Sequence, residues 1–293
     1  MLTVRPSVPE DVPAQRELWK LAFGDSDAYI DNFYSAYYRP ERVVVLEEDG
    51  VLRSMTAWFD TAFVIPGQGE YRAAYLYAVA THPGCRGRGL AARLLAGADG
   101  YFRSLGIPAV TTVPAEPSLH SFFGKNGFRE CFQTLRAAVR REELLQPPPG
   151  VLRPASPEEY GRARARLLAD IPHIAYPADS LAYQAGCCAL GGGGLFVGDL
   201  SGEPLCLCAE RADGDLVVVK ELLGSDQARR LAVLDLPRAA PAQRWEVRGP
   251  CPRDGQSDLR SEAVRFAMLK WLDPKLEKAW DWNTTGYLGL AFD

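Results

Sequence analysis

Three consecutive prolines stand at the middle of this chain, in Gln146-Pro147-Pro148-Pro149-Gly150. Proline has no amide hydrogen and a fixed φ, so such a run continues neither a helix nor a central strand. It reads as a stiff linker, and it divides the 293 residues into nearly equal halves. A single core rarely grows past roughly 250–300 residues, so length also favours two units. The halves open alike. Thr3-Val4-Arg5-Pro6-Ser7-Val8-Pro9-Glu10-Asp11 is matched by Val151-Leu152-Arg153-Pro154-Ala155-Ser156-Pro157-Glu158-Glu159. Each is a short apolar strand, then Arg-Pro, then a Ser/Pro/acid helix start. Ser7 with Glu10, and Ser156 with Glu159, fit a reciprocal helix cap. The expected organisation is a duplicated domain, residues 1–145 and 151–293.

Composition excludes several classes. At 47% hydrophobic residues, the chain is too apolar to be disordered. No stretch approaches the ~18 apolar residues of a membrane span, and Met1–Pro6 carries no apolar core of a secretory leader. The first half holds 16 basic and 17 acidic residues, the second 17 and 20. Neither has the basic excess that a nucleic-acid partner calls for. The seven cysteines show no zinc-ligand spacing; they read as thiols of a reducing cytoplasm, with no metal expected.

In the first half, helical patterns cover about Pro9–Phe23 and Ser26–Tyr38, with Tyr29, Ile30, Phe33 and Tyr37 on one face of the second. Strands are expected at Arg42–Glu48, Val51–Ile65, Tyr71–Thr81, Ala109–Val113 and Phe128–Val139, and a helix at Gly89–Leu105. The second half offers a helix at Pro157–Ala169, strands at Leu195–Leu200, Pro204–Glu210 and Leu216–Leu223, a helix at Asp226–Leu234, and a strand at Arg244–Val247. Apolar runs near Val264–Trp271 and Tyr287–Phe292 complete it. The fold class is α/β, a mixed sheet with helices on its faces.

The chemistry-bearing stretch is Tyr75-Leu76-Tyr77-Ala78-Val79-Ala80-Thr81-His82-Pro83-Gly84-Cys85-Arg86-Gly87-Arg88-Gly89-Leu90-Ala91. A strand runs into a Gly/Arg loop that feeds an apolar-periodic helix. Glycines let amides approach a ligand, and the helix N-terminus adds its dipole, so the turn suits a pyrophosphate. Arg86 and Arg88 can add charge-assisted bonds. The competing reading is a tight turn with solvated arginines. Some 35 residues on comes Ser118-Leu119-His120-Ser121-Phe122-Phe123-Gly124-Lys125-Asn126-Gly127-Phe128.

Together these resemble the GNAT N-acetyltransferase superfamily. Arg86-Gly87-Arg88-Gly89-Leu90-Ala91 fits its [QR]-x-x-G-x-[GA] coenzyme A signature, and Gly127-Phe128 matches the GF after its last conserved helix. The resemblance implies a tandem GNAT fold, the N-terminal copy complete and the C-terminal copy degenerate: only Gly224-Ser225 lies between Leu223 and the next helix. It implies acetyl-CoA as co-substrate, with its acetyl-pantetheine end at Val79 and Thr81. Its pyrophosphate would lie on the amides of Arg86, Gly87, Arg88, Gly89, Leu90 and Ala91, and Ser118 against its pantetheine arm. The strand before the loop is expected to splay at a bulge. A small-molecule or peptide amine would attack the thioester directly. The tandem form resembles the enhanced-intracellular-survival (Eis) group, in which a C-terminal carboxylate enters the active site, which makes Asp293 a candidate base.

The family's usual acid, a tyrosine five residues before the GF phenylalanine, is here Phe123. His120, on the same helical face, is a candidate substitute and Glu116 a candidate base; surface histidine and first-turn charge are the alternative readings. Cys85 has no base positioned to activate it and is not an acyl carrier. Two other functions stay in view: a non-catalytic acyl-CoA-binding or regulatory module, motivated by Phe123, and an aminoacyl transferase using charged tRNA, against which the acidic balance and the intact loop argue. The acceptor and oligomeric state are not readable.

Overall fold

The computed structural model describes residues 1–144, 146–251 and 261–292. The first half runs β1 (Leu2–Pro6), α1 (Val12–Phe23), α2 (Asp27–Ala36), β2 (Val43–Glu48), β3 (Val51–Ile65), β4 (Gly69–Thr81), α3 (Leu90–Ser104), β5 (Ala109–Thr112), α4 (Pro117–Lys125) and β6 (Arg129–Arg140). The second runs β7 (Arg153–Pro154), α5 (Pro157–Leu167), β8 (His173–Ala175), α6 (Ala178–Leu190), β9 (Gly194–Leu200), β10 (Glu203–Asp213), β11 (Leu216–Leu223), α7 (Asp226–Ala239), β12 (Arg244–Gly249), β13 (Ser261–Trp271) and α8 (Pro274–Ala279). With β8 set aside, the second order repeats the first as far as β5 and β12.

The strands form one sheet, ordered β1-β2-β3-β4-β5-β13-β6-β12-β11-β10-β9-β7, with β8 beside β3. Its centre is an exchange. β13, from the second half, pairs antiparallel with β5, Met268 opposite Thr112 and Trp271 opposite Ala109. β6, from the first half, pairs with β12, Arg140 opposite Arg244. The two exchanged strands also pair with each other, from Ser261 opposite Ala137 to Leu269 opposite Arg129.

Helices cover both faces. On one, α1, α2, α5 and α6 share a core that includes Trp19, Phe33, Phe59, Tyr183 and Phe292. On the other, α3 buries Leu90, Leu94, Leu95, Ala98 and Phe102, a stripe at helical spacing. Gly97 lets α3 touch β1: a Cβ there would lie 2.4 Å from Val4 Cγ1. The equivalent face of the second half packs α7 on Val219, Val247 and Trp245.

Helix starts follow local chemistry. Ser26 Oγ accepts from Tyr29 N at 3.2 Å, and Ser156 Oγ from Glu159 N at 3.2 Å. Two expectations need correction here. Ser7 does not cap: it is buried and donates to Pro40 O at 2.9 Å, while Asp11 Oδ2 accepts from Val8 N. Tyr287–Phe292 is not a ladder strand. It is a buried tail with one bridge, Tyr287 to His173, and a left-handed turn at Gly289, φ 75°.

Candidate functional site

β4 pairs with β3 in regular register up to Tyr77, which faces Ala57. The next pair is Ala80 with Met55. Thr56 alone therefore faces both Ala78 and Val79, the geometry of a bulge. Ala78 takes up the extra length at φ 50°, a region non-glycine residues rarely enter. Two buried hydroxyls of β3 hold the bulge. Ser54 Oγ donates to Ala80 O at 2.6 Å and shares a 2.8 Å bond with Thr81 Oγ1. Thr56 Oγ1 shares its one proton between Ala57 O at 2.9 Å and Tyr77 O at 3.2 Å.

The other edge of β4 opens at the same level. β5 runs parallel to it from Ala109 to Thr112, and Leu76 is the last residue of β4 paired there. Beyond it, Tyr77–Thr81 has no strand on that edge among the described residues. Val79 and Thr81 thus lie where a parallel pair separates, a place for an added extended group.

From Thr81 the chain turns through Pro83–Cys85, with His82 Nδ1 accepting from Gly84 N at 3.2 Å. Gly87 and Gly89 follow at φ 76° and 74°. α3 then begins at Leu90, and its first hydrogen bond back is Arg93 N to Gly89 O at 3.2 Å. The amides of Gly87 to Ala92 have no acceptor among the described residues. A row of free amides at a helix N-terminus favours an anion. Leu90 contributes only its amide, since its side chain is in the core. Arg86 and Arg88 are exposed. Arg86 Nε donates to Thr81 O at 3.4 Å, and Arg88 Nη1 to Glu48 Oε2 at 3.1 Å. The hydrogen bond from Arg88 holds the Glu48 carboxyl below its usual range. The residues present therefore fit coenzyme A: unpaired strand edge, glycine turn, free amides and two basic side chains in sequence.

The candidates on α4 are arranged differently. Glu116 and Ser118 are exposed at its start, Ser118 Oγ donating to Glu116 Oε2 at 3.3 Å. His120 Nδ1 shares a 2.7 Å bond with Glu130 Oε1 on β6. Beside this pair lies a cavity of about 300 Å³ lined by Glu130, Cys131, Gln133, Arg265 and Trp282, among others. Phe123 is buried between Phe122 and Phe128, ring centroids 5.2 and 5.4 Å away. No described hydrogen bond ties Glu116, Ser118 or His120 to β4.

Across the sheet, Tyr75 and Tyr77 face the aromatic core. Tyr77 Oη lies 3.0 Å from Tyr183 Oη, and burial pushes its ionisation well above the usual tyrosine value. The buried tail ends here. Phe292 stacks on Tyr75 at 5.5 Å, lies 4.2 Å from Phe59, and its amide donates to Tyr75 Oη at 3.3 Å. Asp293 lies outside the described residues.

The second half repeats the bulge. Val219 faces Ala209 and Glu221 faces Cys208, leaving Lys220 as the extra residue. There the likeness stops. β11 leads through Gly224 straight to Ser225, whose Oγ accepts from Ala228 N at 3.4 Å. A side chain thus takes an amide that the first half leaves free.

Residues 3–130 match a family described as an acetyltransferase (GNAT) domain. No curated protein is similar in sequence. Among solved structures, a GCN5-related N-acetyltransferase from Kribbella flavida aligns at 16% identity, TM-score 0.68, over 93% of this chain and 71% of its own. Another from Anabaena variabilis gives 14%, 0.69, 93% and 73%. Eis1 from Mycobacterium abscessus gives 16%, 0.65, 95% and 75%. At such identities these likenesses establish the fold.

Proposed function

Because residues 3–130 belong to the acetyltransferase (GNAT) family, and so give the chain an acyltransferase domain, we propose that it transfers acetyl from acetyl-CoA to a primary amine by direct attack. One observation carries this reading: the unpaired, bulged edge of β4 runs straight into the free amides of Gly87–Ala92. The pyrophosphate is assigned to those amides with Arg86 and Arg88, and the acetyl-bearing end to the backbone of Val79 and Thr81. An edge amide there would stabilise negative charge growing on the thioester oxygen.

The amine lone pair attacks the thioester carbon. The C–N bond forms, the C–S bond breaks, and its electron pair leaves on sulfur. A thiolate of pKa roughly 8.5 leaves without an acid, so Phe123 does not forbid turnover. The proton lost from nitrogen needs a base. Asp293, next after Phe292, is the first candidate; Glu116 is the second. His120, oriented by Glu130, is assigned proton return to sulfur. Catalysis is assigned to residues 1–145 and its support to residues 151–293. Among the described residues no helix is long and apolar enough to cross a membrane; a cytoplasmic site of action is part of the proposal. The acceptor is a small-molecule or peptide amine.

A second reading, acyl-CoA binding without turnover, is favoured by the hydrocarbon surroundings of Phe123. Calorimetric titration of acetyl-CoA into the chain and into an Arg86→Ala/Arg88→Ala variant tests both. One-site binding that weakens about tenfold in the variant, at 1.4 kcal/mol per decade, supports the site, and turnover in an amine screen then selects transfer. No binding at millimolar acetyl-CoA refutes both readings.

A further inference from the structure

The duplicated bulge has a different occupant in each half. In the first, the edge beyond the bulge of β4 is open. In the second, the side chain of the bulged residue reaches the chain's own tail. Gly286 pairs with β6, its amide donating to Cys131 O at 2.9 Å and its carbonyl accepting from Gln133 N at 3.3 Å. Leu288 O accepts from Arg164 Nη2 at 3.2 Å, and Leu290 O from Tyr176 Oη at 2.6 Å. Ala291 O accepts from Lys220 Nζ at 2.8 Å.

Lys220 is the bulged residue itself, and it is 2% exposed. A buried ammonium is costly unless it is paired and hydrogen-bonded. Here Glu210 Oε2 lies 3.1 Å away, held in turn by Gln184 Nε2 at 2.6 Å. The pair is built to keep a charged donor at one point of the second half's sheet. One residue after the carbonyl it holds, Phe292 packs on Tyr75, Phe59 and Tyr77, the last of which begins the unpaired stretch of β4.

We propose that the bulge of the silent half has become a binding site for the chain's own tail, with Lys220 as a positioning residue. Its ammonium fixes Ala291 so that Phe292 closes the inner end of the acyl-transfer cleft. Lys220 touches no substrate. It acts through the tail, and the proposal rests on the transferase reading for its effect on rate but not for its effect on the tail.

The test uses the full chain with two variants. Lys220→Met with Glu210→Gln removes both members of the 3.1 Å ion pair, and Tyr176→Phe removes one hydroxyl. Amide hydrogen exchange of the 286–292 peptide, acetyl-CoA affinity and steady-state kinetics are read together. In both variants, exchange of the tail rises at least about tenfold while peptides of β4 and α3 stay protected. Acetyl-CoA Kd stays within about twofold, and kcat falls about tenfold, with KM for the amine raised. A merely structural role would loosen β4 and the tail together. Tail exchange unchanged in Tyr176→Phe and in the double variant overturns the clamp. An opened tail with kcat and KM unchanged overturns the positioning role. Absence of turnover in the parent chain refutes the transferase reading instead, and the exchange result still decides the clamp.

Discussion

Replacing Ser54 with Ala and Thr56 with Val removes the hydroxyls that hold the β4 bulge and changes little side-chain volume. Both residues are fully buried, and they donate to Ala80 O and Tyr77 O at 2.6 and 3.2 Å. Leaving a buried polar group without its partner costs about 1–3 kcal/mol. Neighbouring sites are not fully additive, so the pair together holds the bulge by about 2–3 kcal/mol. Against this stands Ala78 at φ 50°, whose left-handed backbone costs about 1–2 kcal/mol for a residue with a Cβ. The margin is therefore of the order of 1 kcal/mol, and the double variant reverses its sign. The bulged, binding-competent fraction then falls from most of the molecules to between about a sixth and a thirtieth, and acetyl-CoA affinity falls between about fivefold and thirtyfold. Adding Ala78→Gly removes the opposing strain and returns about 1 kcal/mol, roughly fivefold in affinity. Calorimetric titration at 25 °C measures each step, with thermal unfolding alongside. A double variant that melts earlier yet binds acetyl-CoA as tightly as the parent would show that the ladder, not the hydroxyls, shapes the cleft.

Three further outcomes follow from buried groups. Phe123→Tyr places a hydroxyl among Phe122 and Phe128, costs about 1–3 kcal/mol of stability, and does not raise kcat; a faster enzyme would show that this position faces the reaction. His173 is held neutral down to about 4, by burial first and by Arg164 second. The unfolded chain binds that proton from about pH 6.5, so stability falls as pH drops from 6.5 towards 4, by at most roughly 3 kcal/mol. Urea unfolding at pH 7 and 4.5 should show a smaller difference in His173→Gln than in the parent. Asp235 is buried, which alone would raise its carboxyl, yet Arg238 and the amides of Leu152 and Gly150 bring it below the usual range. Its contribution is present above its ordinary range near 4 and lost as pH falls through its lower folded value. Asp235→Asn should cost about 2 kcal/mol at neutral pH and flatten the acid limb below pH 4; an unchanged melting curve would mean the linker is held otherwise.

The parts of the fold that were legible are those written in local chemistry. β2 was readable from the β-branched run within Arg42–Glu48, β3 at Val51–Ile65 from the Asp49-Gly50 turn before it, and α3 from the stripe Leu90, Leu94, Leu95. α6 left no such trace. It packs against α2, α5 and β10, so Leu181, Tyr183, Cys187 and Cys188 are buried on several sides and show no polar face to give a period. The exchange of β6 and β13 was invisible, because pairing partners more than a hundred residues apart leave no local mark. At the site, the glycine loop was readable because glycine at positive φ is a local demand. Ser54, Thr56, Glu48 and Glu130 were not: each matters only through a neighbour that the sheet brings to it. Ser7 misled because its serine-to-acid spacing fits a cap, but Pro40 O competes for its hydroxyl.

The exchanged strands also set a timetable for the chain. A cleft edged by β4 and β5 has its sheet completed only when β13, from residues 261–271, arrives beside β5. Until then a newly made first half presents the unpaired edge of β5, which invites pairing with other chains. Contacts so distant in sequence form late and slowly. Synthesis must therefore pass residue 271 before the first half can close, and a chain cut at Pro147–Pro149 would leave the β5 edge of the first half without β13.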